Sequence, residues 1–316
     1  MLNMTKKRFL QKLLIVIITL AFAFYIKKNF HHLRDTVSIR PSFLIFLVLL
    51  NLLNKLFLGF KTRRIMESFG IRLSFKEWFG MSCVGNFYNY LVPKSGTAVC
   101  GVYMKNKYGL NYHKYLSVLI TTGLITIFTS GLVGLVVSLF FRLPHFMDTV
   151  IFMILFTGMI AGPSALFLLP RIRLPEKGLF IKINEFFEGW EILRKDLKTI
   201  IAISMVDLLV LLSVAARYFI IFKIFSLPIA FASCVLLSPF NIITHFATII
   251  PGGYGIKEAT VGAVSTLTNI SFAAGALATL TDRVVMMAVA FILGPIFSFI
   301  LLKHSFKDNK GGALHE

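Results

Sequence analysis

Eight long apolar runs divide this chain, at about 10–26, 42–60, 77–92, 114–141, 148–169, 199–225, 229–250 and 272–302. A helix needs roughly 20 mostly apolar residues to cross a bilayer, and most of these runs approach or exceed that length. The expected fold class is therefore an all-α polytopic membrane protein. Composition agrees. Of 316 residues, 57% are hydrophobic and only 15% charged, against about 25% charged in an ordinary soluble domain. That excludes a soluble globular enzyme, a disordered protein and a disulfide scaffold. The formal net charge of +19 does not point to nucleic acid. A nucleic-acid binder gathers its charge on a polar face, whereas here it falls between apolar segments, where it marks topology.

The first run follows Lys6, Lys7, Arg8 and Lys12, and Ala21-Phe22-Ala23 has the small-x-small form of a leader cleavage site. Because Phe24-Tyr25-Ile26 continues the run, an uncleaved first span is expected. Residues 178–197 differ from the rest. Leu179, Ile183, Phe186, Phe187, Trp190, Leu193 and Leu197 share one helical face, with Lys182, Glu185, Glu188, Glu191 and Lys195 on the other. This reads as an interfacial helix with Trp190 at headgroup level, the alternative being a short soluble loop helix. Cys83, Cys100 and Cys234 have no paired spacing, so neither a disulfide framework nor a zinc site is expected. No metal and no cofactor is called for. The polar residues 304–316 read as a disordered tail.

Two runs end in Pro/Gly breaks. One is Asn86-Phe87-Tyr88-Asn89-Tyr90-Leu91-Val92-Pro93-Lys94-Ser95-Gly96; the other ends in Pro251-Gly252-Gly253-Tyr254-Gly255. Pro93 and Pro251 stand 158 residues apart, half the chain. The same offset carries the runs 42–60, 77–92 and 114–141 onto later apolar runs. Paired interrupted segments in two halves point to a transporter-type site at a repeat interface. Repeat 1 is placed at about 1–145 and repeat 2 at about 146–303, within a single membrane domain.

Charge decides between parallel and inverted halves. If all eight runs cross, the loops divide 14 Lys and Arg against 14, without the expected inner excess. If 77–108 and 229–268 each dip in and return, the division is 22 inside against 6 outside. Six full crossings plus two re-entrant hairpins, as two inverted repeats with both termini cytoplasmic, is the preferred topology; eight spans is the alternative. Five cations then stay at membrane depth: Lys55, Lys94, Arg217, Lys257 and Arg283.

Pro93 and Pro251 stop helices, and short helices are expected to restart at about 97–107 and 256–268. Their free N–H groups attract anions, and irregular backbone is tolerated at that depth only where protein or a wet cavity shields it. Lys94 and Lys257 stand beside these starts, giving two phosphate-suited sites. The expected substrate-binding residues are Lys94, Gly96, Gly252, Gly253, Lys257 and Arg283. Asn86, Asn89, Pro93, Pro251, Gly255, Glu258 and Asp282 support them. Arg283 is expected to pair with Glu258 or Asp282, whose alternative role is a purely geometric ion pair. Tyr88 and Tyr90 line the cavity or satisfy broken backbone. Lys55 and Arg217 are read as snorkelling from run ends. His245 reads as a satisfied buried imidazole. No H-E-x-x-H, G-x-S-x-G or Walker A pattern is present in the sequence.

At these residues the chain resembles the transmembrane region of lysylphosphatidylglycerol synthases, the flippase-like integral membrane proteins. Pro251-Gly252-Gly253-Tyr254-Gly255-Ile256-Lys257-Glu258 is similar to that family's P-G-G-x-G-x-[RK]-E, and Arg283 to its arginine in the next helix. Asn86, Pro93 and Gly96 resemble its first-half N-x-x-x-P-x-x-x-G only loosely. There are departures: Thr97 stands where the family has an acidic residue, and Thr121-Thr122-Gly123 where it has a Glu-Arg pair. The best-known members add a soluble aminoacyl-transferase domain, for which these residues leave no room, so lipid aminoacylation is not implied. The resemblance implies a flippase-like translocator of an anionic phospholipid or lipid-linked intermediate in the cell (inner) membrane. The alternative is an integral-membrane enzyme or accessory subunit of envelope lipid or polysaccharide synthesis. Membrane lipids are the expected partners, with envelope-biosynthesis enzymes under the second reading and no nucleic acid.

Overall fold

The structure, a computed structural model, describes residues 41–92, 94–141, 143, 145–168, 179–247 and 255–312. Every regular element among them is a helix. In chain order these are α1 (Pro41–Glu67), α2 (Phe75–Leu91), α3 (Ser95–Tyr108), α4 (Tyr112–Phe140) and α5 (Phe146–Leu168). There follow α6 (Leu179–Lys195), α7 (Leu197–Ile224), α8 (Phe231–Ala247), α9 (Ile256–Thr266) and α10 (Phe272–Gly312). The expected first span, 10–26, lies outside the described residues. Among the described residues five helices are long and apolar enough to cross a membrane: α1, α4, α5, α7 and α10. The other helices are shorter. α2 and α8 have 17 residues each, α3 has 14 and α9 has 11. At 1.5 Å per residue they span about 16–26 Å, less than the roughly 30 Å hydrocarbon core. α10 continues to Gly312, into the segment where the sequence suggests a polar tail.

α1 and α7 pack together along their length, and side-chain hydrogen bonds fix their direction. Ser68 Oγ donates to Asp196 at 2.8 Å near one end. Lys61 meets Asp207 at 2.6 Å farther in. Ser213 Oγ donates to the Leu50 carbonyl at 3.3 Å beyond that. Numbers rise on one helix as they fall on the other, so the two are antiparallel. Around this pair the packing is reciprocal. α2 lies against α10, and α8 lies against α4; α2 also packs on α1 as α8 does on α7. Each half has its own core, and each core borrows from the other half. Met66, Trp78, Met81, Met104 and Val118 take in Leu301 of α10. Ala215, Phe222, Cys234, Val261 and Ala278 take in Leu47 of α1.

α4 and α5 approach closely because α4 presents glycine there. A Cβ at Gly134 would lie 2.3 Å from the Phe156 ring, so the contact depends on the missing side chain, as in membrane helix pairs generally. Outward faces of the long helices carry Ile45, Phe46, Leu139, Ile154 and Phe299 in the open. In water such a surface would drive aggregation; at membrane depth it is the face that lipid covers.

Candidate functional site

α9 begins from Gly255, whose φ of 80° is the left-handed conformation that favours glycine. The Gly255 N–H donates to Glu258 Oε2 at 2.9 Å, so a carboxylate three residues in satisfies the exposed start. Arg283 on α10 grips the same carboxylate, with Nη2 donating to Oε2 at 3.1 Å and Nε lying 2.9 Å from Oε1. The pairing expected for Arg283 thus falls on Glu258.

Asp282, beside Arg283, turns to α7. Arg217 Nε donates to its Oδ1 at 2.6 Å and Nη2 to its Oδ2 at 3.4 Å. Arg217 Nη1 also reaches Ser213 Oγ at 3.3 Å. Nearby, Tyr218 on α7 bonds to Thr279 on α10 and accepts from Asn241 on α8. Two adjacent residues of α10 therefore tie α9 and α7 through two enclosed ion pairs. Charges at this depth cost several kcal/mol unless paired, which is why both arginines carry carboxylates.

Two lysines do not follow this rule. Lys257, on the first turn of α9, and Lys55, on α1, are only 4% and 3% exposed. Among the described residues neither forms a hydrogen bond or an ion pair. Both lie within electrostatic range of Arg217 and Asp282, and of each other. The assembled group is Lys55, Arg217, Lys257, Arg283, Glu258 and Asp282, drawn from α1, α7, α9 and α10. Chemically it sets four basic side chains against two carboxylates beside a helix start, with both lysine amines uncommitted among the described residues.

The expected site is thus only partly assembled. Lys257, Arg283, Glu258, Asp282 and Gly255 stand together. Pro93, Pro251, Gly252, Gly253 and the side chain of His245 lie outside the described residues. Lys94 begins α3 with φ 57°, but it is exposed and stands apart from the buried charges. Gly96 is a packing residue: a Cβ there would fall 1.8 Å from the Gly85 carbonyl oxygen. Its N–H donates to Asn89 Oδ1 at 3.0 Å, so Asn89 satisfies broken backbone. Asn86 is half-buried, its amide nitrogen without a partner among the described residues.

Lys55 and Arg217 require a correction. They do not snorkel from run ends. Both are buried: α1 continues past its apolar run to Glu67, which leaves Lys55 inside the bundle, and Arg217, within α7, turns to Asp282 on α10. The signal was present for Lys55: Asn51, Asn54 and Lys55 form a polar face at helical spacing within an apolar run. Lys61, counted with the cytoplasmic loop, is also inside. It donates to Asp207 Oδ1 and Thr126 Oγ1, each at 2.6 Å, and Thr126 stands 3.0 Å from Asp207 Oδ2.

The halves differ chemically. Positions 158 residues before Lys257, Glu258, Asp282 and Arg283 hold Val99, Cys100, Leu124 and Ile125. Val99 and Cys100 line an apolar cavity of about 370 Å³ with Met81, Val84, Tyr88 and Leu301. The charged group therefore has no counterpart at the first hairpin among these positions.

Neither the curated proteins nor the solved structures contain a match to the chain. The family described as Lysylphosphatidylglycerol synthase TM region matches residues 9–294, nearly the whole length. With five apolar helices of spanning length among the described residues, the chain is a multi-pass membrane protein that belongs to the lysylphosphatidylglycerol synthase TM region family.

Proposed function

We propose that the protein is a flippase-like translocator that binds the anionic headgroup of a phospholipid or lipid-linked intermediate within the membrane. The observation that carries this reading is the pair of buried, uncommitted lysines, Lys55 and Lys257, set between two ion pairs at the start of α9. Intramembrane ionisable groups without a structural partner default to substrate or ion handling. Gly252 and Gly253 precede the α9 start and would leave backbone N–H groups open to the same phosphate. Lys94, at the equivalent break, would meet the headgroup at entry or exit from the other half.

Two inverted repeats, with six crossings and two re-entrant hairpins, supply the movement. Antiparallel α1 and α7 support this topology. Eight full spans would send α1 and α7 across the membrane in the same direction, whereas hairpins that return to their own side send them in opposite directions. Reciprocal packing of α2 on α10 and α8 on α4 is the exchange that an in-plane two-fold axis produces. Rocking one half on the other would then open the headgroup site to each leaflet in turn. On the charge count, the termini are cytoplasmic and the membrane is the cell (inner) membrane.

Reconstitution tests the function. Proteoliposomes holding a fluorescent phosphatidylglycerol are expected to equilibrate label between leaflets faster than protein-free vesicles. Lys257→Ala and Arg283→Ala, incorporated at equal density, are expected to lose most of that rate. Variants that move lipid as fast as the unmodified protein would remove the charged group from the mechanism. Product formation by purified protein with no lipid movement would instead favour the enzyme reading.

A further inference from the structure

The buried group does not balance. With every group ionised, Lys55, Arg217, Lys257 and Arg283 bring four positive charges, and Glu258 and Asp282 bring two negative ones, all of them buried. Both carboxylates are engaged, Glu258 by Arg283 and the Gly255 N–H, Asp282 by Arg217 at both oxygens. The surplus of two resides on Lys55 and Lys257. The same fold shows how it neutralises a lysine when no ligand is involved: Lys61 has Asp207 at 2.6 Å and Thr126 beside it. Lys55 and Lys257 have no such arrangement, although each additional unpaired charge adds several kcal/mol at this depth.

Resting on the translocator reading above, we infer that the site takes a lipid headgroup bearing two negative charges, a phosphomonoester or a diphosphate, with Lys55 and Lys257 as its direct ligands. Arg217 and Arg283 are the scaffold, held by their own carboxylates. A phosphomonoester carries about −1.5 to −2 at neutral pH, which matches the surplus. A phosphodiester carries one charge and leaves one lysine uncompensated; a zwitterionic headgroup compensates neither. Lys55 belongs to the first half of the chain and Lys257 to the second. A bound dianion therefore adds a link between the halves, beside the Lys61–Asp207 pair that joins them without it.

The test uses the full chain purified in neutral detergent, with lipid binding read by native mass spectrometry. Dioleoylphosphatidate is the dianionic probe at pH 8, with dioleoylphosphatidylglycerol and dioleoylphosphatidylcholine as monoanionic and zwitterionic comparisons. Phosphatidate is expected to bind about tenfold or more tightly than phosphatidylglycerol. Lys55→Met and Lys257→Met are each expected to abolish that preference, while Lys→Arg at either position keeps it. Inorganic pyrophosphate is expected to bind at least about tenfold more weakly than phosphatidate, having no tails to bury; equal binding would overturn the lipid assignment. Equal affinity for phosphatidate and phosphatidylglycerol, both above phosphatidylcholine, would overturn the dianion inference and leave the anionic-lipid reading standing. No preference for either anionic lipid over phosphatidylcholine would bring down both. Folding is controlled in the same preparation. Removing an uncompensated charge leaves nothing unpaired behind, so both Met variants are expected to unfold at or above the temperature of the unmodified apo-protein. A clear fall in both would show that the lysines are structural, against the inference.

Discussion

Arg217 and Asp282 show what a charged residue costs and supplies in this setting. The guanidinium meets the carboxylate at two points, and both side chains are almost wholly enclosed. Removing one partner strands the other. Arg217→Met or Asp282→Leu alone is expected to cost about 3–5 kcal/mol, and the double variant to recover most of that loss. Thermal unfolding of the detergent-purified variants measures it; single variants as stable as the unmodified protein would show that the pair holds nothing together. Arg283 and Glu258 were legible in the sequence because they stand at motif spacing around a Pro/Gly break. Arg217 carried no such signal, its partner Asp282 lying 65 residues on; Lys55 showed a polar face with Asn51 and Asn54, but its place along the helix was hidden. A hydropathy run stops where charges begin, but a helix does not. α1 continues through Arg63 and Arg64, which pair with Glu67 one turn on. That extension moves Lys55 from an apparent end to the interior.

At the scale of elements, the hairpins were visible as breaks at Pro93 and Pro251, and the described helices on either side agree with them to within a few residues. What closes the first hairpin was not visible. Glu77, on the first turn of α2, accepts from Tyr103 at 2.8 Å and Tyr108 at 2.6 Å on α3, and lies 3.1 Å from Lys107. The Ser74 N–H completes the set at 2.8 Å. A lone Glu beside an apolar run carries no signal of partners 26 and 31 residues away. Burial pushes this carboxyl up, but hydrogen bonds from Tyr108, Ser74 and Tyr103 outweigh it and hold it down at about 2, below its ordinary 4.5. A depressed folded-state value stabilises the protein above about pH 4.5, and the contribution fades as pH falls towards 2. Glu77→Gln is therefore expected to lose about 2 kcal/mol at pH 7. The gap from the unmodified protein should shrink by about half or more by pH 3. Melting curves between pH 7 and 3 check this; a gap independent of pH would mean that shape, and not charge, closes the hairpin.

For the whole molecule, the decisive relation is between α1 and α7, which the 158-residue offset makes equivalent and which the structure packs antiparallel. The sequence suggested this through charge alone, because hydropathy cannot tell a hairpin that returns from a pair of spans that crosses. It also suggested two matching lysine sites, one per hairpin. At the equivalent positions only the second hairpin carries charge, since Val99 and Cys100 stand where Lys257 and Glu258 stand in the other half; the buried Glu77 of the first hairpin lies instead on the first turn of α2. The molecule thus pairs reciprocally packed halves with a one-sided charged group: one half supplies the anchored arginines, the other contributes Lys55 from across the α1–α7 interface. The topology this requires can be read directly. Under the proposed topology, with both termini cytoplasmic, α4 and α5 each cross once between antiparallel α1 and α7, which puts the 142–147 connection outside and 170–198 in the cytoplasm. A reporter active only outside the cell is expected to work when inserted at 142–147 and to be silent in 170–198. A reporter active only in the cytoplasm should give the opposite pattern. Eight full spans reverse both results, so a reversal at either position would remove the re-entrant hairpins. With them would go the argument that places α9 and its lysine at membrane depth.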